Sequence, residues 1–432
     1  MKVYHLTGNM AGNRAGTEVQ ENFSAGYTKK MTNGIKANRA VKLLAFDKSE
    51  AHPGETFIVH VPKLGQDEVL VPGSLGLQFD IDLTCGHANN YLVQNVSRAL
   101  VSKMIVKFAG RELQNTRAYD IFKIYEDLFV SQEERDNMIL EGIQSEKLNK
   151  IRCNAGDKPT SGVASETKLN EILGTKYYIW LDHQILTDHG VFYRQALFND
   201  LSFEITLADA NTVVKGSDAS KLKYKLTKIN LEYEIITNKM LAEEVEGHYS
   251  SGKEFLYDQV QLQETITFAK GSTSRLNVKV CLPKRSMKAI LLLFTEPYNA
   301  GTRDSEKYVF PDIKNVRVSI NGSPDMLYNH GIDGTHFWRE AKRFFVRKEN
   351  KTEHMNMKLF LTGDRFGLLV DLRSMPDRSI HGSGKRVVGS TDGVQLLIER
   401  KASGSENLNC QVFVISDAQL SILGQRLEDL QY

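Results

Sequence analysis

Leu75, Leu77, Phe79, Ile81 and Leu83 alternate with Gly76, Gln78, Asp80 and Asp82, giving an extended strand one apolar and one wet face. The pattern returns at Leu276, Val278, Val280 and Leu282, set between Asn277, Lys279 and Cys281. The same sequel follows both. A strand closing on glycine (Met104, Val106, Phe108, then Gly110; Val316, Val318, Ile320, then Asn321-Gly322) leads to an aromatic stretch with helical spacing (Tyr119 to Phe129; Phe337 to Phe345). A further alternating strand comes next: Leu201, Phe203, Ile205 and Leu207 in one half, Leu368, Val370 and Leu372 in the other. An order of parts that appears twice predicts two all-β sandwiches in tandem rather than an enzyme.

Local signals refine this reading. Phe57, Val59 and Val61 end at Pro62, and Val69 to Val71 end at Pro72-Gly73, as strand ends or edges do. Tyr119, Ile121, Phe122, Ile124, Tyr125, Leu128 and Phe129 make too broad an apolar face for a strand and predict a buried helix. Ser131 and Glu134 form a capping box that starts another. Residues 152–170, with Asn154, Gly156, Pro159, Ser161 and Gly162, read as a long loop, and strands resume near Tyr177. Tyr224 and Leu226 share one parity while Ile229, Leu231, Tyr233 and Ile235 share the other, which predicts a β-bulge at Thr227-Lys228. Ile290 to Phe294 is apolar on both faces and predicts a strand covered from both sides. The expected division is an arm over 1–38, a first unit over 39–237, a charged connection over 238–252 and a second unit over 253–432, each unit long enough to bury its own core.

Composition narrows the function. Net charge is +2, with 55 basic against 53 acidic residues, so the balance does not mark a nucleic-acid reader. Any polyanion contact is local, and Arg14, Lys29, Lys30, Lys36 and Arg39, opposed only by Glu18 and Glu21, make the amino-terminal arm its candidate site. Cys85, Cys153, Cys281 and Cys410 lie far apart without a Cys-x-x-Cys pair, against a zinc site or disulfide framework and in favour of a reducing compartment. The first ten residues hold no apolar leader, and no long apolar run occurs, so neither secretion nor membrane spanning is expected.

Catalytic chemistry finds weak material. Asp182-His183 and Asp188-His189 could ligate a metal, but the spacing is unspecific and they read as polar loop residues. Gly382-Ser383-Gly384-Lys385 departs from a phosphate-binding loop, since Arg386 follows the lysine, and reads as a flexible turn. Phe337, Trp338, Phe344 and Phe345 fit a helix docking on a sheet, with Arg339, Lys342 and Arg343 on its wet side. No catalytic, metal or cofactor residue is assigned.

Five longer runs carry a resemblance: Asn95 to Lys103, Tyr119 to Phe129, Leu181 to Leu186, Ser305 to Pro311 and Ile320 to Pro324. Together they resemble the hexon-type major capsid proteins of Polinton/Maverick elements and adintoviruses, and the likeness extends from about Val41 to Tyr432. It implies a double jelly roll, two eight-stranded sandwiches with short helices in the connections. It also implies a pseudo-hexameric homotrimer tiling an icosahedral virion shell with neighbouring trimers, penton and minor capsid proteins, assembled in the nucleus or cytoplasm of a host cell. The family brings no catalytic residues and no cofactor. The basic arm would then face the shell interior and touch DNA, a minor protein or an internal membrane. The competing reading is a carbohydrate-binding or carbohydrate-active sandwich, which needs carboxylates about 5–9.5 Å apart or an aromatic shelf, and the chain announces neither.

Overall fold

The alternating runs form strands whose apolar sides face each other across two sandwiches. A computed structural model describes residues 38–432 except 47, 84–89, 145–163, 188–190, 217–221, 271–274, 326–327, 329–331, 347–354, 375–382, 388–392, 402–406 and 425. The first sandwich is built from β1 (Asn38–Ala45), β2 (Thr56–His60), β3 (Gly76–Asp82), β4 (Val101–Phe108), β5 (Arg111–Arg117), β6 (Lys176–Trp180), β7 (Leu201–Leu207) and β8 (Lys225–Thr237). The second is built from β9 (Lys253–Phe268), β10 (Arg275–Val280), β11 (Lys284–Thr295), β12 (Ile313–Ile320), β13 (Ser323–Pro324), β14 (Gly367–Asp371), β15 (Val394–Arg400) and β16 (Leu408–Leu423).

Sheet order gives the topology directly. In the first sandwich one sheet runs β1-β8-β3-β6 and the other β2-β7-β4-β5; in the second they run β9-β16-β11-β14 and β10-β15-β12-β13. Adding eight to every label of the first yields the second. Each is an antiparallel jelly roll, and the chain carries two. Equivalent hairpins even share a turn: Ala109-Gly110 (φ 53° and 76°) joins β4 to β5, and Asn321-Gly322 (φ 50° and 80°) joins β12 to β13. Two consecutive positive φ values match the right-handed twist of the strands, and glycine takes the second at no steric cost.

The repeat therefore stands, but its flanking landmarks were paired one strand out of step. The strand at Leu276–Leu282 corresponds by topology to β2, not to β3, and β7 corresponds to β15, not to the strand at Leu368–Leu372. Period-two alternation is the same in every half-buried strand, so it identifies a strand without saying which one.

The bulge is where parity put it. In the β3–β8 ladder Thr227 faces Asp80 and Asn230 faces Gln78, so two residues oppose one, with Lys228 at φ 51°. Leu226 and Ile229 are both buried as a result. The buried helix is α1 (Tyr119–Asp127), and Ser131 Oγ accepts from the Glu134 N–H at 3.2 Å to start α2 (Gln132–Asn137). The expected loop over 152–170 needs correction. Its last part is helical, α3 (Ala164–Leu173), built from strong helix formers and ended by Gly174 at φ 55°, while 152–163 lie outside the described residues. The connection over 238–252 also contains a helix, α4 (Lys239–Ser250), capped by Asn238, with Leu241, Ala242, Val245 and Tyr249 buried.

The two apolar interiors interlock. The cluster inside the first sandwich takes in Phe255, Tyr257, Ala418, Leu420 and Ile422 from β9 and β16. The cluster inside the second takes in Phe122, Ile124 and Tyr125 of α1, with Leu128 and Phe129 just beyond it. β11 is buried on both faces from Ser286 to Phe294, because α1 and α5 (Gly334–Phe345) cover its sheet from outside. The matching sheet of the first sandwich instead shows half-buried Gln78, Asp80, Asn230, Glu232 and Glu234 on its outer face.

Candidate functional site

Buried charge gathers on the seam between the sandwiches. Arg98, its side chain 7% exposed, places Nη2 2.7 Å from Asp182 Oδ2 and Nε 3.2 Å from Asp127 Oδ2. Asn95 Nδ2 donates to the same Asp127 oxygen at 2.8 Å, and Lys123 Nζ lies 3.0 Å from Asp182 and 2.6 Å from Glu126. Burial alone would raise the Asp182 carboxyl, but Arg98 and Lys123 outweigh it and hold it well below the usual carboxylate range. For Asp127 burial wins and its carboxyl is raised, since Arg98 is shared with Asp182.

His183, next to this hub, is no solvated loop residue. Its ring centroid is 5.1 Å from that of Tyr257 on β9, and Nδ1 accepts from the Ile185 N–H at 3.3 Å. Burial pushes its pKa down to about 4, so the imidazole is neutral near pH 7. Asp182 and His183 do lie in a loop, half-buried, as read from the sequence, and there they serve as an ion-pair anchor and a ring packed across the seam. Asp188 and His189 lie outside the described residues, and among the described residues no group of three or more His, Cys, Asp and Glu gathers as a metal site.

A second set of contacts ties the segment before Tyr308 to the first sandwich. Arg135 Nη2 is 2.7 Å from Glu306 Oε1, with both side chains buried, and Arg365 Nη2 stands 3.6 Å from Glu306 Oε2. Arg303 pairs with Asp120, and Tyr308 Oη donates to the Ile121 carbonyl at 2.8 Å. Where strand edges meet, Thr116 Oγ1 donates to the Val260 carbonyl at 2.7 Å, and Gln259 Nε2 donates to the Leu113 carbonyl at 2.9 Å. Four of the runs that carry the resemblance, Asn95 to Lys103, Tyr119 to Phe129, Leu181 to Leu186 and Ser305 to Pro311, supply most of these residues. Chemically the arrangement pairs its buried charges with one another. Its work is to fix one sandwich rigidly against the other.

No protein-family model matches the chain, and no curated protein matches it in sequence. Solved structures do match in shape along nearly its whole length. The mavirus major capsid protein aligns over 100% of this chain and 97% of its own at a TM-score of 0.52 and 9% identity. The PBCV-1 virus capsid model aligns over 94% and 99% at 0.59 and 13%, and the Faustovirus major capsid protein over 97% and 98% at 0.56 and 9%. The chain has the double jelly-roll fold of these viral capsid proteins.

Within that double jelly roll the remaining candidates fall into place. Of the basic residues proposed for the arm, Arg14, Lys29, Lys30 and Lys36 lie outside the described residues. Arg39 sits on the exposed strand β1, where Nε donates to Glu234 Oε2 at 2.7 Å. The Ser383-Gly384-Lys385 stretch is more than a turn: the Gly384 N–H donates to Ser286 Oγ at 3.0 Å, and Lys385 opens a short strand paired to β11. Phe337, Phe344 and Phe345 are buried on α5, with Arg339, Lys342 and Arg343 exposed, as the spacing required.

Proposed function

We propose that this protein is the major capsid subunit of a double-stranded DNA virus, a virophage or a virus-like transposon, and that it is a structural protein of the virion rather than an enzyme. The observation that carries this reading is the whole-length likeness, at TM-scores of 0.52 to 0.59, to capsid proteins that share the duplicated sandwich. Physical logic supports it. Three such chains around a threefold axis present six near-equivalent sandwiches and fill a hexagonal position in a closed shell. The interlocked cores and ion-paired seam suit a subunit that must keep its two halves in one fixed relation. The finer assignment, a hexon-type protein of the Polinton/Maverick and adintovirus group, rests on the five sequence runs.

Light scattering of purified full-length protein tests the first step, with a homotrimer expected at micromolar concentration; a stable monomer there overturns the reading. Negative-stain images of the assembled product then separate shells from discrete oligomers. The arm over residues 1–38 would face the shell interior and meet DNA, a minor protein or a membrane through charge. Its deletion should leave trimers intact and alter particles.

A further inference from the structure

We infer that the second sandwich carries a site of covalent self-modification: the amine of Lys288 on β11 condenses with the carboxyl of Asp258 on β9, and Asp417 on β16, between them, relays the proton. The product is an intramolecular amide that stitches β9 to β11 across β16.

Strand register brings the three residues together. β16 runs between β9 and β11, and on one side Asp417 faces Asp258. On the other side Met287 faces Ser416 and Ala289 faces Ile415, so Lys288 is the extra residue of a β-bulge. A bulge re-aims a side chain. Here it directs Lys288 onto the two aspartates, with Nζ 2.5 Å from Asp258 Oδ1 and 3.3 Å from Asp417 Oδ1. Both acids are held in place, since Ser286 Oγ donates to Asp417 Oδ2 and the Asp258 N–H donates to Gln184 Oε1.

Burial favours the condensation. The Lys288 side chain is 3% exposed and that of Asp417 9%, and the strand is otherwise apolar from Met287 to Phe294. Ionised pairs at such depth are costly, and well-packed apolar residues often replace them without loss, so a lysine shared by two carboxylates is more than packing requires. Condensation removes the charges of Lys288 and Asp258 altogether. A proton first passes from Nζ to Asp258 along the existing hydrogen bond, and the freed nitrogen lone pair adds to Cγ, one bond beyond the oxygen it touches. Asp417 accepts a second proton from the nitrogen and returns it to the departing hydroxyl, which leaves as water. One C–N bond forms, one C–O bond breaks, and nothing is oxidised or reduced. Asp258, with its side chain 27% exposed, gives the water a way out.

The test is the intact mass of full-length protein, unfolded for the measurement, so that no outcome depends on the trimer. Wild type should be lighter than its sequence requires by the mass of one water, and tandem mass spectrometry should find a branched peptide joining 258 to 288. Lys288→Arg and Asp258→Ala chains should have their full masses, and Asp417→Asn should leave most chains unlinked. A wild-type chain of full mass overturns the inference without recourse to any variant. So does a lost water that maps to a succinimide at an aspartate instead of to Lys288. An Asp417→Asn chain that links as completely as wild type overturns the relay.

Discussion

Tyr125, on a helix carried by the first sandwich, sits directly over Gly367 in β14 of the second, so that a Cβ built at 367 would overlap the phenol. The ring packs edge-on to Tyr308 and Phe345 at 5.1 and 5.6 Å between centroids, while its hydroxyl is buried without a hydrogen-bond partner. Glycine weakens a strand interior, and here it makes room for an aromatic from the other half. Gly367→Ala should therefore destabilise the protein by about 1–3 kcal/mol in denaturant titration. Tyr125→Phe removes the orphaned hydroxyl and should be neutral or stabilising. The double variant should recover part of the loss, and strict additivity would show that the two sites do not press on each other.

Arg98 is the cation on which the buried Asp127 and the half-buried Asp182 depend. Arg98→Met leaves Asp127 and Asp182 with Lys123 alone, and removing one partner of a buried pair costs about 3–5 kcal/mol. Asp182→Asn should cost less, because Arg98 retains Asp127 at 3.2 Å. Thermal unfolding of the two variants checks the order.

How much of this was legible beforehand depends on the range of the interaction. Local signals survived well: the Asn321-Gly322 turn, the parity slip at Lys228, the Ser131 cap and the aromatic face of α1 all act within a few residues. Strand identity did not, since Leu276 to Leu282 alternates just as Leu75 to Leu83 does. The seam was invisible as a site. Arg98 and Asp182 are 84 residues apart, and Arg135 and Glu306 are 171 apart, so nothing in their neighbourhoods announces the pairing. The one available signal was that four separate runs of the resemblance hold charged residues inside apolar surroundings. The helix α3 is masked in the sequence by Pro159 and Gly162, whose turn signals run up to its first residue, Ala164.

His183 makes the seam sensitive to acid. Its pKa is about 4 in the folded protein against an ordinary 6.5, so between those values the unfolded chain binds more protons than the native one. Stability contributed by the neutral ring is complete above pH 6.5 and is lost as pH falls toward 4. By pH 5 the loss should reach about 1–2 kcal/mol. His183→Phe, which keeps a ring against Tyr257 and cannot titrate, should flatten the profile of unfolding free energy between pH 7 and 5. An identical slope in wild type and variant would assign the acid sensitivity elsewhere.

Lys228 tests whether the bulge is a designed feature of β8. Its φ of 51° is strained for any residue with a Cβ, whereas its side chain is 79% exposed and its ion pair with Asp80 is therefore screened. Lys228→Gly should raise the unfolding midpoint, and Lys228→Ala, which keeps the Cβ and drops the charge, should not. Deleting residue 228 is a different matter. It restores strict alternation and leaves Leu226, Ile229, Leu231, Tyr233 and Ile235 all on the inner face, because the residue removed is the one that the parity slip adds. The shortened protein should therefore fold, with amide exchange across β8 close to wild type; protection lost throughout β8 would show that the bulge itself is required.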